Sequence, residues 1–163
     1  MTLSTGPGLR HYWNRASCLP GGKWLFSRLL GRVVPYTGTI GATVQILEPG
    51  HCKVVLRDHR KVRNHLRSVH AIALCNLGEM ATGLALLNSL PDKTRGILTN
   101  LSITYMKKAR GRLTGNCHCD IPKDNQEHEY LLTGEIRNTE DELVAEVKAR
   151  WLIGPEKTGS HAD

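Results

Sequence analysis

One carboxylate, Glu79, lies in the most apolar stretch of the sequence. Over residues 68–90 it is the only side chain that carries a full charge at neutral pH. Burying a carboxylate without a partner is costly, so Glu79 is expected to be paired with a cation, protonated, or facing a cavity. A helix through this stretch places Asn76, Glu79 and Gly83 on one face, and Gly78 removes bulk beside the carboxylate. Such a face suits a ligand or partner that approaches closely.

The start of the same helix is expected to supply hydrogen-bond donors. Its first backbone N–H groups, in the segment SVHA at residues 68–71, lack intrahelical acceptors and lie at the positive end of the helix dipole. Ser68 is the predicted N-cap, and Asn64 adds an amide donor upstream. An oxygen that becomes negative during a reaction would be stabilised there.

The donors and the carboxylate cannot act together on one carbonyl within one helix. A rise of 1.5 Å per residue separates them by roughly 12–15 Å. A dimer that lays two such helices close together would bring the start of one to Glu79 of the other.

The elements that position these groups follow from the pattern of the remaining sequence. An N-terminal helical arm contains PGG at residues 20–22, which separates two helices, and Pro35 ends the second. Alternating patterns predict six strands, two before the apolar helix and four after it: TIGATVQILE, HCKVVLRD, RGILTNLSITYMKK, GRLTGNCHCD, EHEYLLTGEIRN and ELVAEVKARWLI. A helix apolar on nearly every side must be wrapped, so an α+β fold with a curved antiparallel sheet around one central helix is expected. The edges and outer face of such a sheet favour a homodimer.

Composition limits the class of protein. The chain has 163 residues, a net charge of +7 and five cysteines, which predicts one domain, anionic partners and a reducing compartment. The N-terminus lacks the pattern of a signal peptide, so a cytosolic protein is expected. Residues 68–90 contain polar side chains and two glycines, which favours a buried helix over a membrane span.

The segment NHLRSVHAIALCNLGE, Asn64 to Glu79, resembles the active-site signature of hot-dog-fold acyl-CoA thioesterases of the phenylacetate-pathway (PaaI) type. In that family an Asn, a His-Gly or His-Ala pair, and an Asp or Glu recur at this spacing. The resemblance extends to PYTGTIGATVQILEPG and LTNLSITYMKKARG and covers about residues 35–153. It implies a hot-dog domain at 36–153, preceded by a helical arm at 1–35. The remaining residues, 154–163, are expected from their composition and position to form a disordered tail.

The resemblance also implies roles for individual residues. Asn64 and the backbone N–H of Ala71 would polarise the thioester carbonyl, and His70 would shape the turn. Glu79 of the other subunit would be the nucleophile or the general base for water. Many relatives have Gly where Ala71 stands, but Ala keeps the N–H. The substrate would be an acyl-CoA and the assembly a homodimer, with a tetramer left open.

Substrate contacts are predicted in two groups. Basic side chains would meet the phosphates of CoA, or form a solvated basic loop: Arg63, Arg67, Lys107, Lys108, Arg110 and Arg112. The second group would face the acyl part of the substrate: Asn76, Met80, Gly83, Leu84 and Tyr105. Relatives often add a Ser or Thr on the third strand, where this chain has Leu98 or Thr99. Thioester hydrolysis requires no metal and no catalytic cofactor.

Other functions are weighed against this one. The basic segment HRKVRNHLR contains no aromatic residue on which a base could stack, which argues against nucleic-acid binding. In Cys117-His118-Cys119 the histidine faces the opposite side of a strand from the two cysteines, which argues against zinc. A non-catalytic acyl-CoA or acyl-carrier binding protein and a hot-dog hydratase remain open, because a fold does not determine a function.

Overall fold

A computed structural model of the protein describes residues 6–156. Three helices come first: α1 Gly6–Ser17, α2 Gly22–Val33 and α3 Pro35–Gly38. A long helix, α4 Ala71–Leu87, follows two strands and a short 3-10 helix, Arg60–Val62. The strands are β1 Thr43–Glu48, β2 His51–Leu56, β3 Thr94–Tyr105, β4 Leu113–His118, β5 His128–Arg137 and β6 Leu143–Pro155.

The six strands form one antiparallel sheet in the order β1-β2-β4-β5-β6-β3. Helix α4 packs against this sheet and is buried around most of its circumference, with Leu77, Ala81 and Leu86 fully inaccessible. The predicted α+β architecture, six strands around one central helix with a helical arm, is confirmed. Strand β6 extends two residues into the segment predicted as a tail, because Thr94 and Arg95 pair with Pro155 and Gly154. Residues 157–163 of that tail and residues 1–5 of the arm lie outside the described part.

The arm docks on the C-terminal end of α4. The Arg10 guanidinium donates to the carbonyls of Asn88 and Leu90, where a cation is favoured by the helix dipole. A Cβ at Gly6 would lie 2.6 Å from the carbonyl oxygen of Leu90, so α1 reaches this end at backbone contact. Within the arm, the rings of Trp13 and Phe26 pack edge to face at 5.1 Å. The arm is thus packed against the domain at this end of α4.

The two edges of the sheet differ. The β1 edge is covered by α2, because Ser27 Oγ accepts from the Val44 N–H at 2.9 Å and Lys23 Nζ donates to the Gln45 carbonyl at 2.8 Å. Strand β3 pairs with β6 on one side and with no other strand among residues 6–156. The backbone groups on the other side of β3 are therefore available to a further strand.

Glycine allows α4 to lie close to the sheet. A Cβ at Gly78 would lie 2.2 Å from Val147 Cγ2 and 2.8 Å from Val147 Cβ on β6. Gly78 therefore faces the sheet, and the interpretation that it clears space for a ligand beside Glu79 is wrong. The side of α4 on which Gly78 meets the sheet depends on the rotation of the helix about its axis. Helical periodicity alone does not predict that rotation.

We expect Gly78→Ala to destabilise the fold by about 1–3 kcal/mol, the usual cost of overpacking a core. Gly154→Ala is the matched control, because a Cβ there meets only Glu127 atoms at 3.8–3.9 Å. Urea unfolding of both variants measures the difference. Equal midpoints for the two variants would show that α4 can move away from β6 at little cost.

No helix within residues 6–156 combines the length and the apolar character that crossing a bilayer would require.

Candidate active site

The loop before α4 is organised by the side chain of Asn64. Its Oδ1 accepts hydrogen bonds from the Leu66 N–H at 2.9 Å, the Ser68 N–H at 3.2 Å and the Ser68 hydroxyl at 3.1 Å. The backbone closes the same turn, since the Asn64 N–H donates to the Ser68 carbonyl at 2.8 Å. Among the described residues nothing accepts from the Asn64 Nδ2 group. Asn64 is thus held by its oxygen while its amide N–H groups remain available.

Helix α4 begins at Ala71, so the predicted start at Ser68 is wrong. His70 is the N-cap, with extended backbone, and its Nδ1 accepts from the Ile72 N–H at 3.1 Å. Ser68 is not the cap, because its hydroxyl donates to Asn64 instead. A neutral His70 ring that accepts at Nδ1 carries its proton on Nε2.

The first N–H of α4 is free to bind a ligand. In the described chain the Ala71 N–H donates to no acceptor, as expected at the first turn of a helix. The Ala71 carbonyl accepts from the Tyr105 hydroxyl at 3.1 Å, which ties the end of β3 to the helix start. Tyr105 was predicted to face the acyl group; the structure places its hydroxyl at the helix start instead. Ala71, His70 and the Asn64 turn are consecutive parts of one donor-rich segment.

Glu79 lies two turns further along α4 and is partly buried. Within residues 6–156 no Lys, Arg or His lies within ion-pair distance of its carboxylate. Burial raises the pKa of the Glu79 carboxyl above its ordinary value. Cys75, one turn earlier, is half-buried, and the pKa of its thiol is raised by burial and then by the nearby Glu79. Of the three expectations for Glu79, a salt bridge to another residue of 6–156 is therefore excluded.

The face of α4 that carries Glu79 looks toward the arm. Asn76 Nδ2 donates to the Tyr36 carbonyl at 3.1 Å, while the buried Asn76 Oδ1 has no donor in the described chain. Glu79, Met80 and Gly83 line an apolar cavity beneath α2. The sequence placed Asn76, Glu79 and Gly83 on one face, and that arrangement is present. The arm residues opposite were not predicted as part of the site, although the apolar run at the end of α2 was a signal.

Another side chain absent from the prediction is Trp151 of β6. Its ring carbons Cη2 and Cζ2 lie 3.0 Å from where a Cβ of Gly83 would be. Its buried Nε1 has no acceptor among residues 6–156. The Trp151 ring therefore packs directly against Gly83 of α4, and this close contact requires a glycine at position 83.

Two of the predicted basic residues form ion pairs. Arg63 Nε donates to Asp58 Oδ1 at 2.6 Å, and Lys107 pairs with Glu142. The Arg63 guanidinium holds the pKa of the Asp58 carboxyl below its ordinary value. The Asp58 carboxylate also accepts from the Gly111 N–H at 3.0 Å, so Asp58 joins the two loops that carry the basic residues.

The other predicted basic residues of the two loops form an exposed group that we call the basic rim: Arg67, Lys108, Arg110 and Arg112. Ala109, between two of them, is buried, and its carbonyl accepts from the Val69 N–H at 2.8 Å. Because Val69 comes two residues before the first N–H of α4, the basic rim lies beside the donor-rich helix start.

Two further predictions concern hydroxyl and metal-binding side chains. Of the two third-strand candidates, Thr99 carries the hydroxyl; it stands at a bulge of β3 and donates to the Arg150 carbonyl at 3.1 Å. His118 stacks on His51 with ring centroids 3.9 Å apart. In the part of the chain that the structure describes, no group of three or more His, Cys, Asp or Glu side chains is arranged to hold a metal ion.

Within one chain the two halves of the site stay apart. Eight helical residues separate Ala71 from Glu79, which corresponds to about 12 Å along the axis. This agrees with the spacing expected from the sequence. The contribution of Glu79 from a second subunit stays a prediction.

Comparisons with known proteins come from sequence and from structure. The model of a family described as "Domain of unknown function (DUF4442)" matches residues 22–153. That range runs from the start of α2 almost to the end of β6. Among curated proteins, no sequence matches this chain.

Solved structures resemble the chain over most of its length. A crystal structure from a genomics programme shares 24% identity, covers 89% of this chain and 97% of the other, and has a TM-score of 0.76. A Pseudomonas aeruginosa protein of unknown function, described as a probable thioesterase, shares 21% identity over 85% and 97%, with a TM-score of 0.73. A mutant thioesterase from Staphylococcus aureus subsp. aureus Mu50 shares 19% identity over 74% and 99%, with a TM-score of 0.65. The predicted hot-dog fold is confirmed.

Proposed function

Because the chain belongs to the DUF4442 family, whose description leaves the activity open, we propose from its site that it is an acyl-CoA thioesterase. The products would be the free acid and CoA. The observation that carries this proposal is a combination on α4: among residues 6–156 its helix-start N–H has no acceptor, and its partly buried carboxylate has no ion-pair partner. Ala71 supplies the first and Glu79 the second.

The chemistry assigned to these groups is acyl transfer to water. The Ala71 N–H and the Asn64 Nδ2 group donate to the thioester oxygen as it becomes negative. The Glu79 carboxylate takes a proton from water, and the water oxygen bonds to the carbonyl carbon. The C–S bond then breaks, the sulfur leaves with the electron pair, and Glu79 returns to it the proton that it took from water. Direct attack by Glu79 on the carbonyl is the alternative route to the same products.

This reaction needs two copies of the chain, because about 12 Å separates the two halves of the site along one helix. The free side of β3 supports a dimer in which the β3 strands of two subunits pair edge to edge. Tyr105 bonds to the helix start from the end of this strand. A dimer formed through β3 therefore places its interface beside the donors.

The remainder of the substrate is assigned to the basic rim. CoA carries several phosphate charges, and Arg67, Lys108, Arg110 and Arg112 are exposed cations next to the helix start. Charge-assisted hydrogen bonds from such side chains are among the stronger polar contacts. The net charge of +7 favours an anionic substrate in the same sense. All five cysteines are free, which supports a reducing compartment and hence the cytosol.

Thiol release from a panel of acyl-CoA thioesters tests the proposal. We expect turnover of at least one chain length, and a higher KM for the matching acyl-pantetheine, which lacks the nucleotide phosphates. Binding of acyl-CoA without thiol release from any member would favour the alternative of a non-catalytic acyl-CoA binding protein. Hydration of an enoyl-CoA without thiol release would favour a hydratase.

A further inference from the structure

An apolar cavity of about 150 Å³ lies between the arm and α4. On the arm side its wall consists of Leu9, Leu30, Val33, Val34 and Thr37, and on the α4 side of Glu79, Met80, Gly83, Leu84 and Leu87. Glu79 is the only ionisable side chain in this wall. The cavity is thus an apolar compartment that has the carboxylate at one position.

The α4 residues of the wall follow one another along the helix. From Glu79 to Leu87 the helix advances by about 12 Å, so the lining residues of α4 extend along the helix away from the carboxylate. On the other side α2 contributes Leu30 and Val33, and Val33 is 47% exposed, so this side is partly open to solvent. An apolar space that follows the helix from a carboxylate suits a linear hydrocarbon chain attached to a reacting carbonyl group.

The arm is held over α4 by specific contacts. Gly31 and Gly38 touch at backbone distance, since a Cβ at Gly31 would lie 2.9 Å from the Cα of Gly38. The Tyr36 carbonyl accepts from Asn76 on α4 at 3.1 Å. Arg10 fixes the other end of the arm at the C-terminus of α4. Both walls of the cavity are therefore supplied by one chain and held together by these contacts.

We propose that this cavity holds the acyl chain of the substrate, and that the arm sets the preferred length at about six carbons. An apolar cavity of roughly 150 Å³ stays dry and accepts benzene, a six-carbon molecule, in a protein core. The run of lining residues along α4 favours a straight chain over a ring. This assignment rests on the proposed thioesterase function and adds its substrate class, a straight-chain acyl-CoA of short to medium length.

A substitution in the arm that places a larger side chain in the cavity tests this assignment. Val33 lines the cavity and has 47% of its surface exposed, so Val33→Phe can be accommodated without disturbing the core. Leu29→Phe is the matched control, because Leu29 lies on the same helix, is 42% exposed and does not line the cavity. kcat/KM is measured for acetyl-, butyryl-, hexanoyl-, octanoyl- and dodecanoyl-CoA with the wild type and both variants.

We expect the wild type to prefer hexanoyl-CoA, and Val33→Phe to lower the hexanoyl-to-acetyl ratio of kcat/KM by at least about tenfold, since a mismatch of one methylene is worth 10–200-fold. Leu29→Phe should keep the wild-type ratio. If the wild type hydrolyses the panel but Val33→Phe leaves the ratio unchanged, or Leu29→Phe changes it equally, the cavity assignment fails and the thioesterase proposal stands.

A wild type that releases no thiol would reject the thioesterase proposal instead. Calorimetric titration with hexanoyl-CoA and acetyl-CoA then tests the assignment of the cavity to the acyl chain without requiring turnover. Tighter binding of hexanoyl-CoA that is lost in Val33→Phe and kept in Leu29→Phe would support an acyl-chain site. Equal affinities of the wild type for the two thioesters would overturn it.

Discussion

Glu79→Gln is expected to lower kcat by about 10²–10⁴-fold, the usual contribution of general acid–base catalysis, and more if Glu79 attacks directly. Gln has the same shape and remains polar, but it cannot take a proton from water. Because burial raises the pKa of Glu79, the acidic limb of the wild-type pH–kcat/KM profile should lie above the ordinary carboxyl value of 4.5. Thiol release with the best substrate of the panel, followed over pH, measures both effects.

The same substitution is expected to raise the melting temperature at neutral pH. The pKa of Glu79 is higher in the folded than in the unfolded protein, so ionisation costs the folded state more. This cost is absent below the unfolded pKa, grows as pH rises toward the folded pKa, and is constant above it. Gln removes the cost, and each 1 kcal/mol of gain corresponds to about 2–4 °C in a chain of this size.

Glu142→Gln is the control with the opposite sign. Hydrogen bonds from Lys107 and Asn138 lower the pKa of the exposed Glu142 carboxyl, so its ionised form favours folding and Gln should bring no gain at neutral pH. Calorimetric scans at pH 4 and pH 7 separate the two cases. Full activity of Glu79→Gln would reject its catalytic role. A melting temperature no higher than that of the wild type at pH 7 would reject an unpaired, destabilising carboxylate.

Mixing two inactive variants is expected to restore activity if each site combines two subunits. Asn64→Asp keeps the Oδ1 acceptor that organises the loop but loses the Nδ2 donor, and loss of one oxyanion donor costs about 10²–10³-fold in kcat. Glu79→Gln lacks the base. In a dimer of the two, one of the two sites contains an intact Asn64 from one chain and an intact Glu79 from the other.

The purified mixed dimer should therefore recover about half of wild-type activity, because one of the two sites of an isologous pair is intact. Differently tagged variants are co-expressed, and the mixed dimer is purified on both tags before thiol release is measured. Each variant co-expressed with its own tagged copy is the control. A mixed dimer as inactive as these controls would show that Asn64 and Glu79 act from the same chain, or that the oxyanion assignment is wrong.

Much of the fold could be predicted because its signals are local. Cys52, Val54 and Leu56 alternate along one strand and are all fully buried, as the period of two requires. The uniformly apolar α4 had to be enclosed, and the alternating patterns on both sides of it in the sequence predicted the sheet that encloses it. Glu79 stood out for a related reason, since one charge in an apolar helix is conspicuous in any sequence.

Predictions from the sequence were wrong where neighbouring residues competed for the same hydrogen-bond partners. Ser68 is a good N-cap by residue type, but Asn64 binds its hydroxyl, and the ring of His70 takes the capping role. Tyr105 had no partner that could be identified from the chain, because its hydroxyl bonds to Ala71, which is 34 residues away. Such choices depend on distances between segments, which periodicity does not contain.

The sequence by itself therefore determined the class of fold, the isolated carboxylate and the donors before it, because residue type and spacing suffice for each. The tertiary structure decided which way each face of α4 points. It turned Gly78 toward Val147 and placed Glu79 under the arm. The physical reason is that a helix apolar on every side can be rotated at little cost in hydrophobic burial. The close contacts of its glycines with the sheet, and of the arm with its exposed side, select one rotation.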